Sequence, residues 1–403
     1  MRVSVLHLLL LMLLAPLAAA RAQETSPTQT TPTRPPEFVQ ETTLLPVTIA
    51  GATFRLEVMT VRSRTATGRL PIALITHGKP GPRDDLATIH ATSYRSIARD
   101  MARRGWLAVV LVRRGYGFSE GTLPQFGDCK SGYDLARMFR TEALDIAATL
   151  TVVANRPDAD ATRAIAIGVS AGGAASLALA ASAPANLKAV VNVSGGLRND
   201  TCPYEGKLVE TFAGFGRTTK IPTLWLYARN DRLFGPDLVE KMRAAFVAAG
   251  GDARLSMMDP VGDDGHSLFT LTEGRTRWYA ALDAFLRDVS LPTLGDHDVE
   301  AVMALGLGAE QRTSVARYMA VPGEKALTRP VGGGKLTWYL GQPDVATARR
   351  LALELCEKAA PKCEVVAENN RPAPRTVAGE GNPAANDNAM KAATEAARKS
   401  IGR

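Results

Sequence analysis

Between Leu44 and Leu291, eight short apolar runs alternate with longer segments of helical periodicity. The runs are VTIA, FRLEVMT, LPIALITHG, WLAVVLVRRG, ATRAIAIG, LKAVVNVSGG, IPTLWLYARND and ARLSMMD. Most are apolar at successive positions, so both faces of those strands must be covered. Helical patterns at 93–105, 134–154, 172–183, 236–249 and 276–288 supply the cover. Together they predict an α/β fold: a mostly parallel eight-stranded sheet with helices on both faces, opened by an antiparallel edge pair. A chain of 403 residues that is 46% apolar can bury such a core and still carry something smaller beside it.

In open α/β sheets the functional groups gather at the carboxyl ends of the strands. His77, Ser170, Asp231 and His266 each follow a predicted strand. Ser170 is the centre of G168-V-S-A-G172, with a strand before it and a helix of small residues after it. A serine so placed can be displayed on a sharp, strained turn. The same stretch read without its context is only a turn-forming serine. A hydroxyl needs a base to become a nucleophile at neutral pH. Of five histidines, His7 lies in the leader, His77 in an HG turn, His90 in a loop and His297 past the last helix. That leaves His266, in VGDDGHSLF, as the candidate base. Asp231, after LWLYARND, is the candidate acid that orients it. Asp200 competes from the Cys202 loop, and Asp263 and Asp264 read as caps.

The order Ser170, Asp231, His266 resembles the triad of the α/β-hydrolases, nearest to the dienelactone-hydrolase-like and acyl-peptidase-like branches. The resemblance covers about residues 44–290, and the α/β-hydrolase domain is expected over 44–291. It implies a serine hydrolase acting on carboxylic ester or related acyl bonds through an acyl-enzyme, with no organic cofactor and no metal. It also implies an oxyanion hole made by the backbone N–H groups of Ala171 and Lys79, with His77, Gly78 and Tyr116 placed to contact substrate. RRGYGFSEG (113–121) resembles the loop that packs beneath such sites. The elbow departs from dienelactone hydrolases proper, which use cysteine there. A peptidase or amidase of the same fold and a non-catalytic binding scaffold are the competing readings.

Residues 1–22 read as a secretory signal peptide ending in Ala20-Arg21-Ala22, followed by a Pro/Thr-rich linker over 23–43. Export to a periplasmic or secreted location is therefore expected, with no stable membrane span after processing. In an oxidising compartment four cysteines imply disulfides, and three pairings are possible. Cys356 with Cys363 and Cys129 with Cys202 are the expected pairs. Residues 292–368 read as a small C-terminal α+β module and 369–403 as a disordered tail. The net charge of +8 comes from scattered basic residues with no aromatic interleaving, which argues against a nucleic-acid partner. A small-molecule ester or acyl compound is the expected partner; oligomeric state is not legible.

Overall fold

The computed structural model describes residues 37–81, 85–124, 129, 133–199, 202–293, 311, 315, 318, 321 and 323–373. The expected leader, most of the expected linker and nearly all of the expected tail lie outside them. The main sheet contains β1 (Phe38–Ile49), β2 (Ala52–Ser63), β3 (Leu70–Thr76), β4 (Leu107–Leu111), β5 (Ala159–Val169), β6 (Leu187–Val193), β7 (Pro222–Ala228) and β8 (Asp252–Met258). Their spatial order is β1-β2-β4-β3-β5-β6-β7-β8. The β1–β2 and β2–β4 pairs are antiparallel, and every later pair is parallel.

Among the described residues, six helices cover this sheet. On one face, α1 (Arg95–Arg103) and α6 (Thr272–Asp288) pack Ile97, Met101, Trp278, Leu282 and Phe285 against the strands. On the other, α2 (Leu135–Ala154), α3 (Ala171–Ala181), α4 (Glu205–Gly216) and α5 (Pro236–Ala248) contribute Met138, Phe139, Phe212 and Phe246. Helix α3 is buried from Ala171 through Ala180. Its Ala- and Gly-rich sequence suits that place, because small side chains let it lie close to β5, β6 and α2 at once.

Two elements differ from the sequence reading. Strand β1 begins at Phe38, inside the span assigned to the linker, because residues 38–49 pair along their whole length with 52–63. Its first residue is buried, with the Arg103 guanidinium 4.9 Å from the ring centroid. Helix α4 was not anticipated in the 197–220 segment. A crossover between parallel neighbours such as β6 and β7 has to pass over one face of the sheet, and α4 provides it.

After Pro292 the chain builds a second, four-stranded antiparallel sheet. It consists of β9 (Glu324–Pro330), β10 (Thr337–Gln342), β11 (Cys363–Glu368) and β12 (Arg371–Pro372), in the order β10-β9-β11-β12. Helix α7 (Val345–Glu357) packs on it through Ala348 and Ala352. β12 lies within the stretch expected to be disordered. It is held because Asn369 is buried and exchanges hydrogen bonds with the main chain of Lys325.

Disulfides join Cys129 to Cys202 (Cα–Cα 5.5 Å) and Cys356 to Cys363 (6.1 Å). The first spans 73 residues and ties the loop before α2 to the loop before α4. No helix among the described residues is long and apolar enough to cross a membrane.

Candidate active site

β5 ends at Val169, and the chain turns into α3 through Ser170, whose backbone sits at φ 55° and ψ −124°. That conformation is sparsely populated for a residue with a side chain and costs about 1–3 kcal/mol. The turn closes only because its flanks are glycines. A Cβ on Gly168 would fall 2.1 Å from the Gly172 carbonyl oxygen, and one on Gly172 would fall 2.3 Å from that of His77. Gly172→Ala is therefore expected to lower stability by about 3 kcal/mol, since only main chain could move aside. A thermal melt of the variant measures this; an unchanged transition would mean that the turn has slack.

Two neighbours from the β6 end hold the turn. Ser170 N–H donates to Val193 C=O at 2.9 Å, and Ser170 C=O accepts from Gly196 N–H at 3.1 Å. The Gly195 carbonyl is held in turn by the Tyr227 hydroxyl at 2.7 Å, which itself accepts from Asn192 Nδ2. Burial pushes the Tyr227 phenol far above its ordinary range, so it remains a neutral donor.

Across the cleft, His266 Nε2 lies 3.1 Å from Ser170 Oγ. Its Nδ1 lies 3.1 and 3.2 Å from the two Asp231 carboxylate oxygens. Asp231 accepts from Nδ1–H, which leaves Nε2 to accept from the serine hydroxyl. The Asp231 carboxylate is itself fixed, because Oδ1 accepts the N–H groups of Leu233 (2.9 Å) and Phe234 (3.0 Å). The Asp231 side chain is fully buried, while that of His266 is 19% exposed. Such a line can take a proton from a hydroxyl and hold the resulting imidazolium against a buried carboxylate.

His266 stands on a short 3₁₀ turn, Gly265–Phe269. Asp264 caps that turn, accepting His266 N–H at 3.0 Å and Arg232 N–H at 3.1 Å. Asn230 stitches the loops after β7 and β8 together through Val261 and Gly262. Phe234 packs edge-on against the imidazole, with centroids 5.5 Å apart. Asn192, Tyr227, Asn230 and Phe234 carried no sequence signal beyond their position near strand ends.

The remaining expected residues divide. Gly78 lies beside the serine, where a Cβ on it would be 2.9 Å from Ser170 Cβ. Lys79 follows on the exposed rim, and Ala171 provides the first N–H of α3. His77 and Tyr116 were expected to contact substrate, and the structure buries both side chains. His77 is fully buried, with Nδ1–H donating to Gly78 C=O at 2.7 Å and Nε2 accepting from Arg113 N–H at 3.0 Å. Tyr116 is 2% exposed and packs edge-on against the His77 ring, 4.6 Å between centroids. Both rings are buried beside Arg113, whose guanidinium lies 5.5 Å from the Tyr116 ring centroid, so they support the turn from beneath.

No curated protein matches this chain. Among solved structures it is similar to a protein described as a dienelactone hydrolase from Klebsiella pneumoniae, at 21% identity. That match covers 62% of this chain and 98% of the other, with a TM-score of 0.43. An esterase from Pyrococcus furiosus is 17% identical over 62% and 91% of the two chains (TM-score 0.46). An acetyl xylan esterase from Paenibacillus sp. R4 is 18% identical over 65% and 86% (TM-score 0.44). Residues 20–253, more than half the chain, match the family described as X-Pro dipeptidyl-peptidase (S15 family), a span that includes Ser170 and Asp231 and stops short of His266. By the family match the chain belongs to the S15 peptidase family, and with this sheet order and the Ser170–His266–Asp231 line it is a serine hydrolase of the α/β-hydrolase fold.

Proposed function

We propose that this is an exported hydrolase that cleaves carboxylic esters through an acyl-enzyme on Ser170. The observation that carries the reading is the hydrogen-bonded line Ser170–His266–Asp231, with the serine on a strained turn at the head of a helix. In this mechanism His266 takes the Ser170 proton as Oγ adds to the acyl carbon. The N–H groups of Ala171 and Lys79 then face the oxyanion, and each such donor contributes about 3 kcal/mol to the transition state. The imidazolium returns its proton to the departing alkoxide. Water, deprotonated by the same His266, attacks the acyl-enzyme, and the second tetrahedral intermediate collapses to the acid as the imidazolium returns that proton to the departing Ser170 Oγ. Export rests on the leader-like residues 1–22 and agrees with two disulfides in one chain.

A second reading is release of X-Pro dipeptides by the same three residues, and the family description favours it. The two are separated by measuring kcat/KM for p-nitrophenyl acetate and butyrate beside Ala-Pro-p-nitroanilide. Ester hydrolysis with negligible anilide cleavage is the expected result. Efficient anilide cleavage, at or above the ester rate, would replace the ester reading with the peptidase one.

A further inference from the structure

Arg113 follows β4 at the second position after Leu111, and its side chain is 1% exposed beneath the Ser170 turn. One guanidinium nitrogen, Nη1, donates to Thr76 Oγ1 at 2.7 Å and to His77 C=O at 2.5 Å. The Arg113 main-chain N–H donates to His77 Nε2, and the opposite ring nitrogen donates to Gly78 C=O. One residue thereby holds three consecutive residues of the turn after β3: Thr76, His77 and, through the imidazole, Gly78. The arrangement requires a neutral His77 with its proton on Nδ1. Burial first, and the Arg113 charge second, keep that imidazole neutral well below its ordinary range.

The same guanidinium also touches the elbow. A Cβ on Gly172 would meet Arg113 Nη1 at 3.1 Å as well as the His77 and Thr76 carbonyls. Arg113 therefore sits where the two halves of the oxyanion site join: the turn leading to Lys79 and the helix start carrying Ala171.

Its ion pair is poor for so buried a group. Arg113 Nε lies 3.6 Å from Glu142 Oε2, with the two side chains 1% and 5% exposed. Neither Arg113 Nε, Arg113 Nη2 nor Glu142 Oε2 has a direct hydrogen-bond partner. A buried pair with imperfect geometry is weak as a source of stability. The well-formed bonds of Arg113 are those to the turn.

Resting on the ester-hydrolase reading, we propose that Arg113 is a positioning residue for acyl transfer. It fixes the main chain of residues 76–78 against the Ser170 turn, so that the Lys79 and Ala171 N–H groups remain aimed at the developing oxyanion. Such alignment favours the tetrahedral state over the bound ester, so its loss falls on kcat and spares KM.

The test compares wild type, Arg113→Lys and Arg113→Met on p-nitrophenyl butyrate, with thermal melts to identify a temperature at which all are folded. The main-chain bond to His77 persists in every variant, and a lysine amine can still reach Thr76 Oγ1 or the His77 carbonyl. Arg113→Met is expected to lose about 10²-fold in kcat with KM within twofold, and Arg113→Lys to recover part of it. Inhibition by a trifluoromethyl ketone, which presents a tetrahedral oxyanion to the site, should weaken in parallel with kcat. If Arg113→Met does not fold, the lysine variant alone decides through the same kcat and inhibitor comparison. Full kcat in a folded variant, or a loss carried by KM with inhibitor affinity unchanged, overturns the role of Arg113 only. A wild type that neither hydrolyses the ester nor reacts with a fluorophosphonate overturns the underlying reading, and this one with it.

Discussion

Ser170→Ala is expected to abolish covalent labelling by a fluorophosphonate, read as loss of the mass adduct, and to lower ester kcat by about 10⁴- to 10⁶-fold. His266→Ala should cost a similar factor, because a serine hydroxyl without its base is a weak nucleophile. The double variant should be scarcely worse than either single one, since groups that act as a unit are not additive. Ser194 is the internal control. It shares the left-handed backbone of Ser170, at φ 45°, yet it is fully buried and its hydroxyl has no hydrogen-bond partner. Strain therefore does not distinguish the two serines; the imidazole 3.1 Å from Ser170 does. Ser194→Ala should label like wild type. A label that survives Ser170→Ala, or effects that multiply in the double variant, would remove Ser170 and His266 from the chemistry.

How far the sequence alone reaches depends on how local the governing physics is. The parallel strands were legible because burial on both faces leaves successive apolar residues, as in LPIALIT and LAVVL, where every residue of β3 and β4 is buried. The turn at Ser170 was legible because Gly168 answers to a contact with Gly172 four residues on, although Gly172 itself answers to the distant His77 carbonyl. The cap formed by Asp264 was also local. The burial of His77 and Tyr116 was not legible, for the converse reason. An HG turn and a tyrosine in a polar loop look alike whether the side chain faces a cleft or an interior. Only the bond from Arg113 N–H to His77 Nε2, across 36 residues, decides it. Helix α4 was obscured by the polar approach to it around Cys202, though the β6–β7 crossover required something there. Least legible of all was the junction between α1 and the second sheet, where Asp100 meets the Gly323 N–H across 223 residues.

That junction carries the second large effect. Glu324→Ala is expected to destabilise the protein by about 3–5 kcal/mol, the cost of removing one partner from a buried charged network. Glu324 accepts from Arg99 (3.1 Å) and Arg103 (3.3 Å) on α1, and from Asn369 Nδ2 (3.0 Å) at the start of the β12 hairpin. Arg103 also donates to both Glu37 oxygens and to Asp100, while Asn369 reaches Glu37 at 2.6 Å. Burial opposes the Arg103 charge, but Glu37, Asp100 and Glu324 outweigh it and hold the guanidinium ionised. Without Glu324, Arg103 keeps its other two carboxylates, but Arg99 loses its bond to Glu324 and Asn369 loses one of its two acceptors. The network binds the first strand, the first helix and the second sheet to one another, so the melting transition should shift downward while remaining single. A chain cut before residue 292 should fail to give a stable hydrolase sheet, because the face of α1 that meets Glu324 and Gly323 would be uncovered. Differential scanning calorimetry of full-length wild type and Glu324→Ala decides between the possibilities. Two separate transitions, with the larger unmoved by the substitution, would mean that the second sheet is an independent appendage. One transition shifted down, with ester kcat unchanged below it, would mean that the hydrolase core and the second sheet fold as a single cooperative unit.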